Sequence, residues 1–207
     1  MKIPLNIRNL ELSDINQAML LEKAAWSHDT QATRVQLEDR LTIFKEGFFG
    51  AFTTNEKLIG MASSQIITYS PNDSFKSWET LTSSGWISKT HQPQGNCLHF
   101  VSICVHPENH HQGIGKKLNK ERLHLAEKLH LKYVLTDTRL PGLSSFLKSN
   151  INNLPKDYLA AIKKGEIIEP VVQMYLSLGF QALGLIPDCM KSDEESANFG
   201  LAMLKEI

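Results

Sequence analysis

Apolar positions along this chain fall into short strand-like runs and helical stripes, interrupted by two long polar stretches. Residues 4–8 read as a short strand. Ser13 offers a helix N-cap, and Ile15, Met19, Leu20 and Ala24 recur at helical spacing over residues 14–26. A second helix is predicted over 32–44, with Leu37, Leu41 and Phe44 on one side and Gly47 and Gly50 beyond its end. Strands over 48–53 and 58–68 follow, and the polar Thr54-Asn55-Glu56-Lys57 between them predicts an antiparallel pair.

Residues 70–95 are crowded with Pro71, Asn72, Asp73, Ser83, Gly85, Pro93 and Gly95, and read as a long insertion with one short helix near 78–81. Loops of this length in a compact domain often wall a binding site. Residues 98–105 are apolar on both alternating faces. Val101, Ile103 and Val105 share one side, Leu98, Phe100 and Cys104 the other, as in a covered central strand. A stripe of Ile114, Leu118, Leu125 and Leu129 then predicts a helix over 113–129, and 133–138 is the next strand. Strand, helix and strand in that order form a βαβ unit, so the two strands are expected to be parallel.

A second insertion spans 140–167, with a helix at 156–164. Pro170 suits the first turn of a helix reaching Leu178, and Gly179 suits its C-cap. Strands at 180–185 and 199–204 follow. The pattern predicts an α/β fold in one domain, 1–207, with insertions at about 70–95 and 140–167.

Composition narrows the partners. With 207 residues, 42% of them hydrophobic, the chain is long enough for a sizeable core. Lys plus Arg and Asp plus Glu number 22 each, so no net charge draws it to nucleic acid or an anionic membrane, and neither is expected as a partner. The three cysteines, Cys97, Cys104 and Cys189, form no C-x-x-C pair and suit a reducing cytoplasm. No apolar run approaches the roughly 18 residues of a membrane span, and the first residues show no secretory leader.

The chemistry concentrates in His110-His111-Gln112-Gly113-Ile114-Gly115-Lys116. This segment joins the apolar strand to the start of a helix, whose first amides and dipole together form an anion site. Gly113 and Gly115 allow a ligand to approach the backbone closely. A Walker A loop does not fit, because Lys117 follows Lys116 and no glycine stands five residues before Gly115. A Rossmann fingerprint does not fit either, because Leu118 occupies its third glycine position.

The run V-x-I-x-V-x-P-x-x-x-x-Q-G-I-G-x-x-L, residues 101–118, resembles the acetyl-CoA signature of the GNAT superfamily of N-acetyltransferases. Met174-Tyr175-Leu176-Ser177-Leu178-Gly179-Phe180 resembles that family's second motif. Arg139-Leu140-Pro141-Gly142 and Asp193-Glu194-Glu195-Ser196 resemble a subgroup of undefined substrate. The resemblance implies a mixed, mostly antiparallel sheet with a parallel central pair and helices on both faces. It implies that the backbone of Ile103, Cys104 and Val105 grips the pantetheine arm, the Val105 amide donating to the thioester oxygen. His110, His111, Gln112, Gly113, Ile114, Gly115 and Lys116 would hold the pyrophosphate. His110 stands where the family usually has Gln or Arg, and histidine is only partly charged near neutrality.

Tyr175 stands where the family often has its general acid; the other reading packs its ring in the core. The general base is open, with His99 a candidate that is more simply a bonded structural histidine. Arg139 either pairs with an acidic substrate group or forms a loop ion pair. His106, His110 and His111 lack zinc spacing, so no metal is expected. The implied activity is transfer of acetyl from acetyl-CoA to a primary amine, on a small molecule or a peptide, by direct attack in a ternary complex. Two rivals stand beside it: a non-catalytic CoA-binding sensor or partner-binding module, and a nucleotide-binding α/β domain. A homodimer is compatible with either.

Overall fold

The computed structural model describes residues 4–191 and 193–207. Its strands are β1 (Leu5–Asn9), β2 (Phe48–Thr53), β3 (Leu58–Ile67), β4 (Cys97–Val105), β5 (Tyr133–Arg139), β6 (Gln181–Ile186) and β7 (Gly200–Glu206). Its helices are α1 (Ile15–Ala25), α2 (Arg34–Phe44), α3 (Trp78–Thr82), α4 (Ile114–Lys128), α5 (Leu143–Ser149), α6 (Pro155–Lys164) and α7 (Pro170–Leu176). Among the described residues the strands order as β1-β2-β3-β4-β5-β7-β6, a mixed sheet in which β4 and β5 are parallel. The chain divides into two compact units: Met1–Tyr69 with Thr82–Val134 and Ile207, and Ser70–Leu81 with Leu135–Glu206.

In the first unit, β1 to β4 form an antiparallel succession, with Ile7 opposite Ala51, Phe49 opposite Ala62 and Gly60 opposite Val105. Two layers of helix follow from the two faces of β3, which is buried throughout. On one face α1 and α2 pack Ile15, Ala18, Leu21, Leu37 and Leu41 against Phe48, Phe52 and Met61. On the other, α4 sets Ile114 and Leu118 over the small residues Ala51 and Ala62. A Cβ at Gly60 would stand 3.0 Å from Ile114 Cγ2, so glycine there lets the start of α4 approach the sheet.

Two sequence expectations are corrected here. The inward stripe of α1 is Ile15, Ala18, Leu21 and Glu22, while Leu20 is 70% exposed and Ala24 is also exposed. Glu22 turns inward because its carboxylate accepts the Ala32 amide at 3.0 Å. Ser13 caps nothing: it lies inside a short 3-10 turn, Leu12–Asp14, and Asp14 is the N-cap residue of α1.

A third correction concerns β4. Its register against β3 passes from Ser63↔Ser102 to Ser64↔Phe100, so Val101 is an additional residue in a bulge. The bulge exchanges the faces. Phe100 lies under Arg122 of α4, on the same side as Ile103 and Val105, rather than with Cys104.

In the second unit, β6 and β7 pair antiparallel, with Ala182 opposite Met203. Ile186, Cys189 and Ala202 form a small core there, with Trp78 and Leu183 against it. Pro155 and Pro170 open α6 and α7, where a missing amide donor costs little. The 140–167 insertion holds α5 as well as the expected helix.

Candidate functional site

The segment from His110 to Lys116 joins the end of β4 to the start of α4. Pro107–Asn109 turns the chain out of β4, and the His106 ring accepts the Glu108 amide at 3.4 Å. His111 and Gly113 then adopt left-handed backbone, φ 61° and 75°. Gly113 is the N-cap of α4, and a Cβ there would meet nothing within 4 Å. The loop is therefore open on the side where an anion would approach. The amides from Ile114 onward precede the first helical bond, Lys117 N–H to Gly113 C=O at 3.1 Å. Ile114 is 2% exposed and pins this end of the helix, while Gln112, Gly113 and Lys117 face solvent. The residues present thus fit a pyrophosphate.

The His110 ring turns back toward the end of β4. Its Nε2 lies 2.9 Å from the Val105 carbonyl. A carbonyl only accepts, so Nε2 carries the hydrogen, and the ring is tied to the end of β4. Its perpendicular neighbour His111 lies 6.3 Å away between ring centres. Among the described residues no group of three or more His, Cys, Asp or Glu side chains is arranged to hold a metal.

The direction of the β4 backbone can be worked out from one bond. His106 N–H donates to Ile59 C=O at 2.9 Å, which makes 59 and 106 a hydrogen-bonded antiparallel pair. Pairing alternates, so Met61 and Cys104 form the next such pair. Ile103 and Val105 lie between, with their own N–H and C=O pointing away from β3. That orientation turns them to the other edge of β4. Cys104 does not share it. Its thiol lies in the core beneath α1, and burial pushes its pKa well up, which removes it as a nucleophile.

The other candidates resolve individually. His99 is fully buried; its Nδ1 accepts Gln65 Nε2–H at 3.1 Å, and Gln65 Oε1 accepts the Thr90 hydroxyl at 2.7 Å. That is the bonded structural histidine. Tyr175, in the second unit, is 2% exposed with its ring edge-on to Phe180, centres 5.2 Å apart. Arg139 forms the loop ion pair: Nε reaches Asp193 Oδ2 at 2.7 Å and Nη2 reaches Glu195 Oε2 at 3.0 Å. Leu140 N–H donates to Ser196 Oγ at 3.0 Å, so the 139–142 and 193–196 motifs form one clasp. Gly142 N–H donates to the buried Glu169 carboxylate at 2.8 Å, and the Tyr158 hydroxyl donates to the same oxygen. That bond and burial hold the Tyr158 pKa far above a free phenol, burial first.

Among the buried polar side chains that were not anticipated are Arg40, Asn119 and Arg122. A signal for one of them existed. The inward stripe Ile114, Leu118, Leu125 has its intervening inward position at 122, and an arginine occupies it.

A mixed sheet of this strand order, with a βαβ passage whose helix begins at a left-handed glycine, is the fold of the acyltransferase class. The chain belongs to the acetyltransferase (GNAT) family, whose profile matches residues 11–145. It is 28% identical over 197 residues to "Probable hydrolase YhcX" of Bacillus subtilis (strain 168); the match covers 95% of this chain but only 37% of that protein's length. It is 28% identical over 209 residues to "Uncharacterized N-acetyltransferase YkwB" of the same organism, covering 96% of this chain and 87% of that protein. Its fold is similar to that of the GphF GNAT-like decarboxylase solved with isobutyryl-CoA, at 20% identity and a TM-score of 0.78 over 97% of this chain and 98% of that one.

Proposed function

We propose that this chain transfers an acetyl group from acetyl-CoA to a primary amine on a small molecule or peptide, by direct attack in a ternary complex. One observation carries the reading. The Gly113-capped start of α4 and the outward backbone of Ile103 and Val105 are consecutive parts of one unit, suited to a pyrophosphate and to the arm that extends from it. Acetyl-CoA, when bound, supplies the activated acyl group. The Val105 amide is assigned to the thioester oxygen, where a donor stabilises developing charge. Residues 110–116 hold the phosphates through backbone amides and the charges of Lys116 and Lys117.

The amine nitrogen bonds to the carbonyl carbon as the carbon–sulfur bond breaks. The amine loses a proton to solvent, and the leaving thiolate gains one. Tyr175 is assigned that last proton, because a phenol matches a departing thiolate better than a carboxyl does.

The test is CoA release with a panel of amines, combined with thermal shift against acetyl-CoA, ATP and NAD. The proposal expects stabilisation by acetyl-CoA and CoA release that depends on an amine. Stabilisation by ATP or NAD alone would sink it. Binding of acetyl-CoA without release for any amine would favour the non-catalytic module. Tyr175→Phe is expected to lower turnover at least about tenfold with acetyl-CoA affinity retained; unchanged turnover returns Tyr175 to the packed core.

A further inference from the structure

The bulge in β4 lies immediately before Ser102 and Ile103, and a bulge bends its strand and breaks the local ladder. Two guanidinium groups close on it from opposite faces of the sheet. From α2, Arg40 donates Nη1–H to Ser102 Oγ at 3.3 Å and Nε–H to Gly85 C=O at 3.2 Å. Ser102 Oγ lies 2.8 Å from Ser63 Oγ, directly across the strand pair. From α4, Arg122 donates Nη1–H to the carbonyls of both Ser63 and Ser102, each at 3.2 Å. Its Nη2–H bonds the Asn119 side chain one turn earlier, and its guanidinium lies 3.6 Å over the Phe100 ring. Ser63, Ser102 and Phe100 are the residues on either side of the register change.

Both arginines are buried, Arg40 at 2% exposure and Arg122 at 0%. Burying a guanidinium is costly, and burial pulls the Arg40 pKa down despite Glu22 and Asp39. Arg40 directs its donors to a hydroxyl and a carbonyl, and Arg122 donates to two strand carbonyls. The two strand carbonyls belong to Ser63 and Ser102, the pair at which the regular register ends. The cation–ring stack on Phe100 fixes the plane of the second fork.

We propose that Arg40 and Arg122 are positioning residues. They clamp the β4 bulge through Ser102 and so fix the direction of the Ile103 and Val105 backbone. The inference rests on the acetyl-CoA reading of that backbone. Its role is to register the pantetheine arm, and it leaves the nucleotide end to the α4 loop.

The experiment uses the full chain as wild type, Ser102→Ala, Ser102→Thr and Arg40→Met. Titration with acetyl-CoA and with ADP, which has the pyrophosphate but no pantetheine, separates the two ends. Ser102→Ala and Arg40→Met are expected to weaken acetyl-CoA roughly tenfold and leave ADP nearly unchanged. Ser102→Thr keeps the hydroxyl and should restore acetyl-CoA binding. Equal losses for both ligands, or no loss for acetyl-CoA, overturn the clamp. Amide exchange over residues 101–105 in the ligand-free protein reads the clamp alone: Ser102→Ala should accelerate it, and unchanged exchange overturns the proposal. A wild type that binds no acetyl-CoA defeats the proposed function, and the exchange comparison still decides the clamp.

Discussion

Gly113 meets two separate requirements in one residue. Its φ of 75° is strained for any L side chain, and the space beside it is open. Alanine there would thus cost backbone strain without a clash, and its methyl would stand where a phosphate is expected to approach. Gly165 is the natural control: it has φ 77°, equally open space, and lies past the end of α6. Gly113→Ala and Gly165→Ala should each destabilise the chain by about 1 kcal/mol in urea unfolding. Only Gly113→Ala should also weaken acetyl-CoA by tenfold or more in calorimetry. Equal affinity in the two variants would mean that the left-handed cap serves the fold and not the ligand.

At the scale of elements, the readable parts were those with a clean local period. The strands expected at 48–53 and 58–68, the two-faced apolar strand at 98–105 and the helical stripe over 113–129 lie within two residues of β2, β3, β4 and α4. The signature loop was readable because its residues are adjacent in sequence. The β4 bulge was not: with apolar residues on both faces, a one-residue shift leaves the pattern unchanged. Nor was α5, which follows Pro141-Gly142 and buries only Leu143. The Arg40–Ser102–Arg122 arrangement joins residues 62 and 20 apart, beyond the reach of any periodicity.

The start of α2 escaped notice for a smaller reason: Thr33 forms a capping box with Gln36, one residue after the expected helix start. Thr33 N–H donates to Gln36 Oε1 at 2.7 Å, and Thr33 Oγ1 accepts the Gln36 amide. Thr33→Ala should cost about 1 kcal/mol in chemical denaturation, and Thr33→Ser should recover most of it. Indistinguishable denaturation midpoints for the alanine variant and wild type would show that packing alone holds this end.

Across the whole molecule, each unit carries its own carboxylate held below the ordinary aspartate range. In the first, the Arg8 hydrogen bond lowers the Asp14 pKa against its burial, over a 2.7 Å ion pair. In the second, burial would raise the Asp193 pKa, but the Arg139 and Ser196 bonds outweigh it. Glu22 runs the other way, because burial raises it beyond what the Ala32 amide restores. A carboxylate with a depressed folded pKa contributes stability above its unfolded value, near 3.9, and loses it as pH falls through the folded value. Glu22 has the opposite sign: folding ceases to suffer its burial penalty once the group is protonated. The two aspartates should therefore make the chain lose stability below about pH 4, with Glu22 offsetting part of the loss. Asp193 is 2% exposed, so removing its partner leaves a buried charge. Arg139→Ala should destabilise the chain by roughly 3 kcal/mol at neutral pH. Urea unfolding at pH 7 and pH 3 should show the gap between variant and wild type narrowing as Asp193 protonates. A gap that is the same at both pH values would mean that Arg139 acts by packing its stem, and that the clasp between the 139–142 and 193–196 motifs is not held by charge.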